Sequence, residues 1–221
     1  MKFATNFYRS FGKRVLDCCV VITLLLLLSP ALLLLCLSLW LTNGKPIFFV
    51  QERSGKGGRP FKLLKFRTMN SDRAADGTLL PDRDRITRIG SMLRRTSIDE
   101  LPELWNILVG DMSLVGPRPL HTRYLTRYNA IQASRHKVRP GLTGKAQVSG
   151  RNTTSWEERL NHDVDYVENY GLRLDITILI QTVAVVLSQR GATTPETATM
   201  PEFLGDKKIA ALNDHGGHFS V

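Results

Sequence analysis

No charged residue lies between Cys18 and Gly44, and within that stretch residues 24–28 and 32–35 are unbroken leucine except that Cys36 closes the second run. Folded as a helix, the stretch would measure roughly 40 Å at about 1.5 Å per residue, enough to cross a hydrocarbon core ~30 Å thick. It is too long for a secretory signal, and no small-x-small cleavage site follows it. Pro30, after Ser29, falls in mid-run, where proline removes a backbone hydrogen bond at a cost of about 3 kcal/mol unless the helix bends. Basic residues flank both ends, with Lys2, Arg9, Lys13 and Arg14 before the run and Lys45, Arg53, Lys56 and Arg59 after it. Positive flanks favour the same membrane face. The pattern predicts a helix broken at Ser29-Pro30 that enters a bilayer and returns, with a straight span as the alternative.

Beyond the apolar run the periodicity changes. Pro46–Gln51 and Phe61–Arg67 read as short strands joined by a glycine-rich turn, Ser54–Pro60, which predicts a β-hairpin. The turn lacks Walker spacing and is not read as a phosphate loop. A polar loop covers Asn70–Asp84, and a helix is expected over Thr87–Arg95. The next helix carries Leu101, Leu104, Trp105 and Leu108 on one buried face. Asp111–Pro119 reads as strand ending in a turn, and Leu120–Arg135 as helical. Trp156–Tyr170 is an amphipathic helix with Ser155 as N-cap. Leu174–Leu187 is apolar nearly all round and suits either a buried core or a membrane interface. The tail after Gly191 is small and polar and is expected to be poorly ordered. The fold class is therefore mainly α with a small antiparallel β-hairpin. Residues 1–44 form the anchor, 45–205 one globular domain with interfacial helices, and 206–221 a poorly ordered tail.

Charge narrows the partners. Thirty Lys and Arg against twenty Asp and Glu leave a formal net charge of +10 in 221 residues, so an anionic partner is expected. Aromatic residues make up only 8% and do not alternate with the basic ones, which argues against a single-strand nucleic-acid surface. Cys18, Cys19 and Cys36 all lie in the apolar run, where they read as small hydrophobes. None remains in the polar part for a disulfide or a metal, so a reducing, cytoplasmic setting is permitted. His121, His136 and His162 lack metal-ligand spacing.

The densest chemistry is Asp99-Glu100, two adjacent carboxylates at an apparent helix start. Ser97-x-x-Glu100 matches a capping box, and Asp99 could itself be the N-cap. One carboxylate is enough for capping. The other is available to hold a divalent cation or attack phosphorus, beside N–H groups open to an anion. Arg118 sits between Pro117 and Pro119, which preset its direction, and Arg151 lies in a turn after Gly150.

Six motifs occur in order: Ser29-Pro30, Lys65-Phe66-Arg67-Thr68-Met69, Ser97 through Pro102, Gly110-Asp111-Met112-Ser113, Val115 through Pro119, and Arg139 through Gly144. On these the chain resembles the bacterial sugar transferases of the small monotopic phosphoglycosyl transferase type, from about Tyr8 to about Leu204. The resemblance implies transfer of a sugar 1-phosphate from a UDP-sugar to undecaprenyl phosphate with release of UMP. It implies Asp99 as nucleophile, through a phosphosugar-aspartyl intermediate, and Mg²⁺ held by Glu100 with Asp99 beside it. Lys65, Arg94, Arg118 and Arg151 would contact phosphates and uridine diphosphate, while Asp163 and Asp175 match acidic positions of unassigned role. It also implies a monotopic enzyme among inner-membrane lipids, with its active site on the cytoplasmic face and no nucleic-acid partner. Gly150-Arg151-Asn152, Ser155-Trp156 and Thr199 through Gly205 resemble the branch acting on UDP-N,N′-diacetylbacillosamine. The competing reading is a non-catalytic, membrane-tethered module that binds anionic lipid or nucleic acid.

Overall fold

The computed structural model describes residues 6–150, 154–188 and 202–205. A π-helical turn, Tyr8–Gly12, leads into α1 (Lys13–Asn43). Contrary to expectation, α1 is not broken at Ser29-Pro30; the helix continues through Pro30. The local reason is a substitution of donors. Proline cannot satisfy the carbonyl one turn earlier, and the Ser29 hydroxyl donates to that same Leu26 oxygen at 2.9 Å.

Both halves of α1 pack on the globular part. Val21 is fully buried with Leu104, Ile107, Met112 and Leu114. Leu39, also fully buried, clusters with Phe66 and Leu93. Leu101 packs against both clusters. Between these points Leu26, Leu27, Leu33 and Leu34 are each about 70% exposed. The stretch Tyr8–Asn43 has the length and composition to cross a membrane, and its exposed middle would otherwise set apolar surface against water.

The hairpin is present as β1 (Phe48–Ser54) and β2 (Pro60–Phe66), paired antiparallel with Val50 opposite Leu64. Then follow α2 (Asp82–Arg85), α3 (Arg88–Thr96) and α4 (Glu103–Val109). The strand read over Asp111–Pro119 is present as β3 (Ser113–Val115), and it pairs in parallel with β4 (Gly141–Thr143), a strand and a pairing not anticipated. The Leu120–Arg135 region is not one helix. It breaks into a 3-10 segment Thr122–Arg127, a single turn α5 (Ala130–Ala133) capped by Asn129, and a 3-10 turn Ser134–Lys137. Next come α6 (Lys145–Ser149), α7 (Trp156–Asn169) and α8 (Leu172–Ser188). Ser155 caps α7 with a complete capping box to Glu158, as its sequence predicts.

α8 resolves the two expectations for the apolar segment in favour of a surface helix. Asp175 and Ile178 are buried, whereas Leu172, Ile176, Ile180, Val183 and Leu187 are exposed along one stripe. In the late segment Phe203 is buried among Tyr124, Tyr128 and Trp156. Glu202 pairs there with Arg127 and Arg123. Residues 202–205 thus pack on the domain, inside the 45–205 unit, whereas poor order was also expected from Gly191 onward. Residues 206–221 lie outside the described residues.

Candidate active site

Asp99 and Glu100 do not cap a helix through the expected box. Ser97 instead ends α3 in a left-handed conformation (φ 58°), and Ile98–Glu100 forms a 3-10 turn before α4. A positive φ at a non-glycine residue is uncommon and strained. It reverses the chain so that both carboxylates lie in the wall of a cavity of about 1020 Å³. Gly90 permits the approach of α3, because a Cβ there would lie 2.0 Å from the Thr68 carbonyl oxygen.

Glu100 is gripped by two cations. Lys65 Nζ lies 2.6 Å and Arg118 Nη2 2.5 Å from its Oε1. Burial by itself would disfavour the charge, but Arg118 and Lys65 overcome it and hold the carboxyl well below its usual range. Asp99 is shifted the other way. Burial, reinforced by repulsion from Glu100, pushes it up to about 6 despite the nearby Lys65, Arg118 and Arg94. The two neighbours are thus driven apart electrostatically, which is the pattern of paired groups with different tasks.

The supporting elements explain why the cations stand where they do. Asn106 on α4 accepts from Leu64 N–H at 3.0 Å and donates to the Lys62 carbonyl at 2.8 Å. This clamps β2 to α4 and sets Lys65 over the turn. Arg118 leaves the β3 edge through Gly116, where a Cβ would meet Arg139 O at 2.5 Å. Arg135 donates to the Arg118 carbonyl at 2.7 Å. Arg94 also faces the cavity, with its Nε donating to Thr68 Oγ1 at 2.8 Å.

Five of the six predicted site residues thus come together: Lys65, Arg94, Asp99, Glu100 and Arg118. Arg151 lies outside the described residues. Asp163 lines the same cavity, but Asp175 is buried in a separate network with Tyr8, Lys13 and Tyr166. Sequence reasoning missed Glu103. It is almost fully buried and 3.2 Å from Lys65, and burial pushes it up to about 7, opposed by Lys65 and aided by Glu100. Its signal was available, since position 103 is three residues after Glu100 and shares its face of a helical turn. The expected apolar stripe of α4 is correspondingly rotated: Leu104 and Ile107 are buried with Glu103 and Asn106, while Trp105 is 58% exposed.

No group of three or more His, Cys, Asp or Glu suited to a metal occurs among the described residues. The Asp99-Glu100 pair still fits Mg²⁺, which is commonly held by one or two carboxylates together with substrate phosphates. Glu100 lines the cavity, and its Oε2 makes a looser 3.5 Å contact with Arg118 Nη1.

The Asp99-Glu100 pair stands in a cavity that also presents Lys65, Arg94 and Arg118 and is lined at one edge by Val20 and Leu24 of the long apolar helix, a setting suited to an anionic substrate. Comparison with known proteins gives the family. Residues 8–189 match the bacterial sugar transferase family. The sugar transferase EpsL of Bacillus subtilis, itself uncharacterised, is 46% identical over 90% of this chain and 98% of its own length. The UDP-glucose:undecaprenyl-phosphate glucose-1-phosphate transferase of Caulobacter vibrioides is 44% identical over 81% of this chain and 71% of its length. The UDP-N-acetylgalactosamine-undecaprenyl-phosphate N-acetylgalactosaminephosphotransferase of Aeromonas hydrophila is 36% identical, and the chain spans 45% of that longer protein. The chain belongs to the bacterial sugar transferase family.

Proposed function

We propose that this sugar transferase moves a sugar 1-phosphate from a UDP-sugar to undecaprenyl phosphate and releases UMP. The observation that carries the reading is the Asp99-Glu100 turn, with its split carboxylates, set among Lys65, Arg94 and Arg118. An Asp99 carboxylate oxygen attacks the phosphorus that bears the sugar, and the bond to the UMP oxygen breaks. A phosphate oxygen of the lipid then attacks the same phosphorus and frees Asp99. Covalent catalysis divides one transfer between two bulky anions into two steps. Lys65, Arg94 and Arg118 offset phosphate charge in both. Glu100, with Asp99 beside it, would hold Mg²⁺, which would supply charge neutralisation at the phosphates. Glu103 shares Lys65 with Glu100 and steadies its position.

The relatives' names cover glucose and N-acetylgalactosamine, and a relative from Erwinia amylovora is named for UDP-galactose. We take N,N′-diacetylbacillosamine or another modified N-acetylhexosamine as the donor to test against these sugars. UMP release from each UDP-sugar, with undecaprenyl phosphate and Mg²⁺, reads the choice directly. No release with any of them, together with salt-sensitive lipid binding indifferent to Asp99, would favour the tethered-module reading. Chelation with EDTA is expected to stop release, and Glu100→Gln to move the Mg²⁺ midpoint upward. An unaltered Mg²⁺ titration would remove Glu100 from the metal site.

This reading puts the active site at the cytoplasmic face of the inner membrane, with both ends of α1 held to the domain on that side. Support comes from packing. Val21 and Leu39 lie about 27 Å apart along a straight helix, yet both are buried against the same domain. A helix running straight to the far side would carry one of them away. The exposed stripe of α8 offers a second apolar surface to the interface. Single cysteines at Lys2 and Lys45, in a background without the native thiols, are expected to label from the same face; labelling from opposite faces would refute this topology.

A further inference from the structure

The cavity holds two oxygen acceptors that the phosphate chemistry does not use. Asp163 on α7 is 3% exposed. Its Oδ2 accepts from Arg135 Nε at 3.0 Å and Nη2 at 2.7 Å, while its Oδ1 is buried without a hydrogen-bond partner among the described residues. Gln147 on the adjoining α6 shows the same asymmetry. Its Nε2 donates to the Leu142 carbonyl at 2.8 Å, and its Oε1 is buried without a partner among the described residues. The Leu142 carbonyl can only accept, so it fixes which end of the amide points away from it. Both residues line the cavity that contains Asp99.

A buried acceptor left unsatisfied is costly, and one such group in a native protein calls for a ligand or a bound water. Two of them in one wall repel phosphate oxygens and attract O–H groups. The Arg135 guanidinium is permanently charged and is itself buried against Asp163, so the orientation of the carboxylate is fixed before any ligand arrives. Arg135 also donates to the Arg118 carbonyl, which ties this wall to the cation that grips Glu100.

We propose that Asp163 Oδ1 and Gln147 Oε1 form a hydroxyl-reading wall, accepting hydrogen bonds from ring hydroxyls of the nucleotide-sugar donor. The assignment rests on the proposed transfer from a UDP-sugar. The hydroxyls belong either to the ribose or to the transferred sugar, and both present the same chemistry to these acceptors.

Steady-state UMP release by the full-length protein tests it. Gln147→Met keeps the length of the side chain and removes the acceptor, and is expected to raise KM for the UDP-sugar about tenfold with a smaller effect on kcat. Asp163→Asn keeps a carbonyl for Arg135 but turns an N–H₂ toward the cavity, and is expected to raise KM at least as far. Competition by UMP then separates the two rings. Inhibition that weakens in step with KM places the ribose on this wall, and unchanged inhibition places the transferred sugar there. If Asp163→Asn proves unstable, Gln147→Met alone decides. Wild-type KM in Gln147→Met overturns the proposal while leaving the transfer reaction intact. Absence of UMP release from the wild-type protein with every donor would instead overturn the reaction on which it rests.

Discussion

Asp99→Asn is expected to lower UMP release by about a thousandfold or more, while the protein stays folded and still binds its UDP-sugar. The magnitude is that of removing a covalent nucleophile, for which the remaining charge stabilisation and substrate positioning cannot substitute. The substitution is sterically conservative, and the charge it removes is one the fold disfavours. Burial and Glu100 both act against ionisation of Asp99, so the amide relieves repulsion in the native state. Activity and stability therefore move independently, which makes the variant informative. With radiolabelled sugar phosphate and no lipid acceptor, wild-type protein is expected to retain label covalently and Asp99→Asn to retain none. A rate unchanged by the substitution would remove Asp99 from the chemistry.

Much of this site was legible along the chain because its parts are local. The turn at Asp99-Glu100 and the proline-flanked Arg118 are short segments whose residue types announce their chemistry. The hairpin was equally legible, since its two strands border a turn rich in glycine. What could not be read was decided by contacts between distant segments. Glu103 shares a helical face with Glu100, but its burial against Lys65 follows from β2 folding over α4. Of the β3–β4 pair only β3 was legible, because the three-residue β4 becomes a strand through its pairing with β3. Phe203 is one aromatic in a polar stretch, and the cage that buries it comes from Tyr124, Tyr128 and Trp156. At Pro30 the residue rule was sound but incomplete, because the adjacent serine supplied the missing donor. Asp163 and Asp175 looked alike in sequence, yet one faces the cavity and the other does not.

That difference gives the second large effect. Asp175→Ala is expected to destabilise the protein by about 3–5 kcal/mol, the range for removing one partner of a buried ion pair. Asp175 is 1% exposed and serves three partners, two of them from the far N-terminal part of the chain. Lys13 Nζ lies 2.5 Å away; the Tyr8 hydroxyl donates at 2.6 Å and the Tyr166 hydroxyl at 2.7 Å. Alanine would strand an ammonium and leave the Tyr8 hydroxyl without this acceptor. Tyr166 has a second bond, to the Val115 carbonyl at 3.0 Å, and Val115 directly precedes the Gly116-Pro117-Arg118 turn. At Asp17 the same helix is pinned again, accepting from Ser113 Oγ at 2.7 Å and Leu114 N–H at 3.2 Å. The base of α1 is therefore part of the domain's interior as well as an anchor to lipid. Thermal unfolding in detergent should show the midpoint of Asp175→Ala lowered by about 10 °C. Activity is expected to fall with the folded fraction while KM for the UDP-sugar holds near its wild-type value. A wild-type midpoint combined with lost activity would mean that Asp175 acts in the reaction, and that the network joining α1 to α8 is not what holds the site in shape.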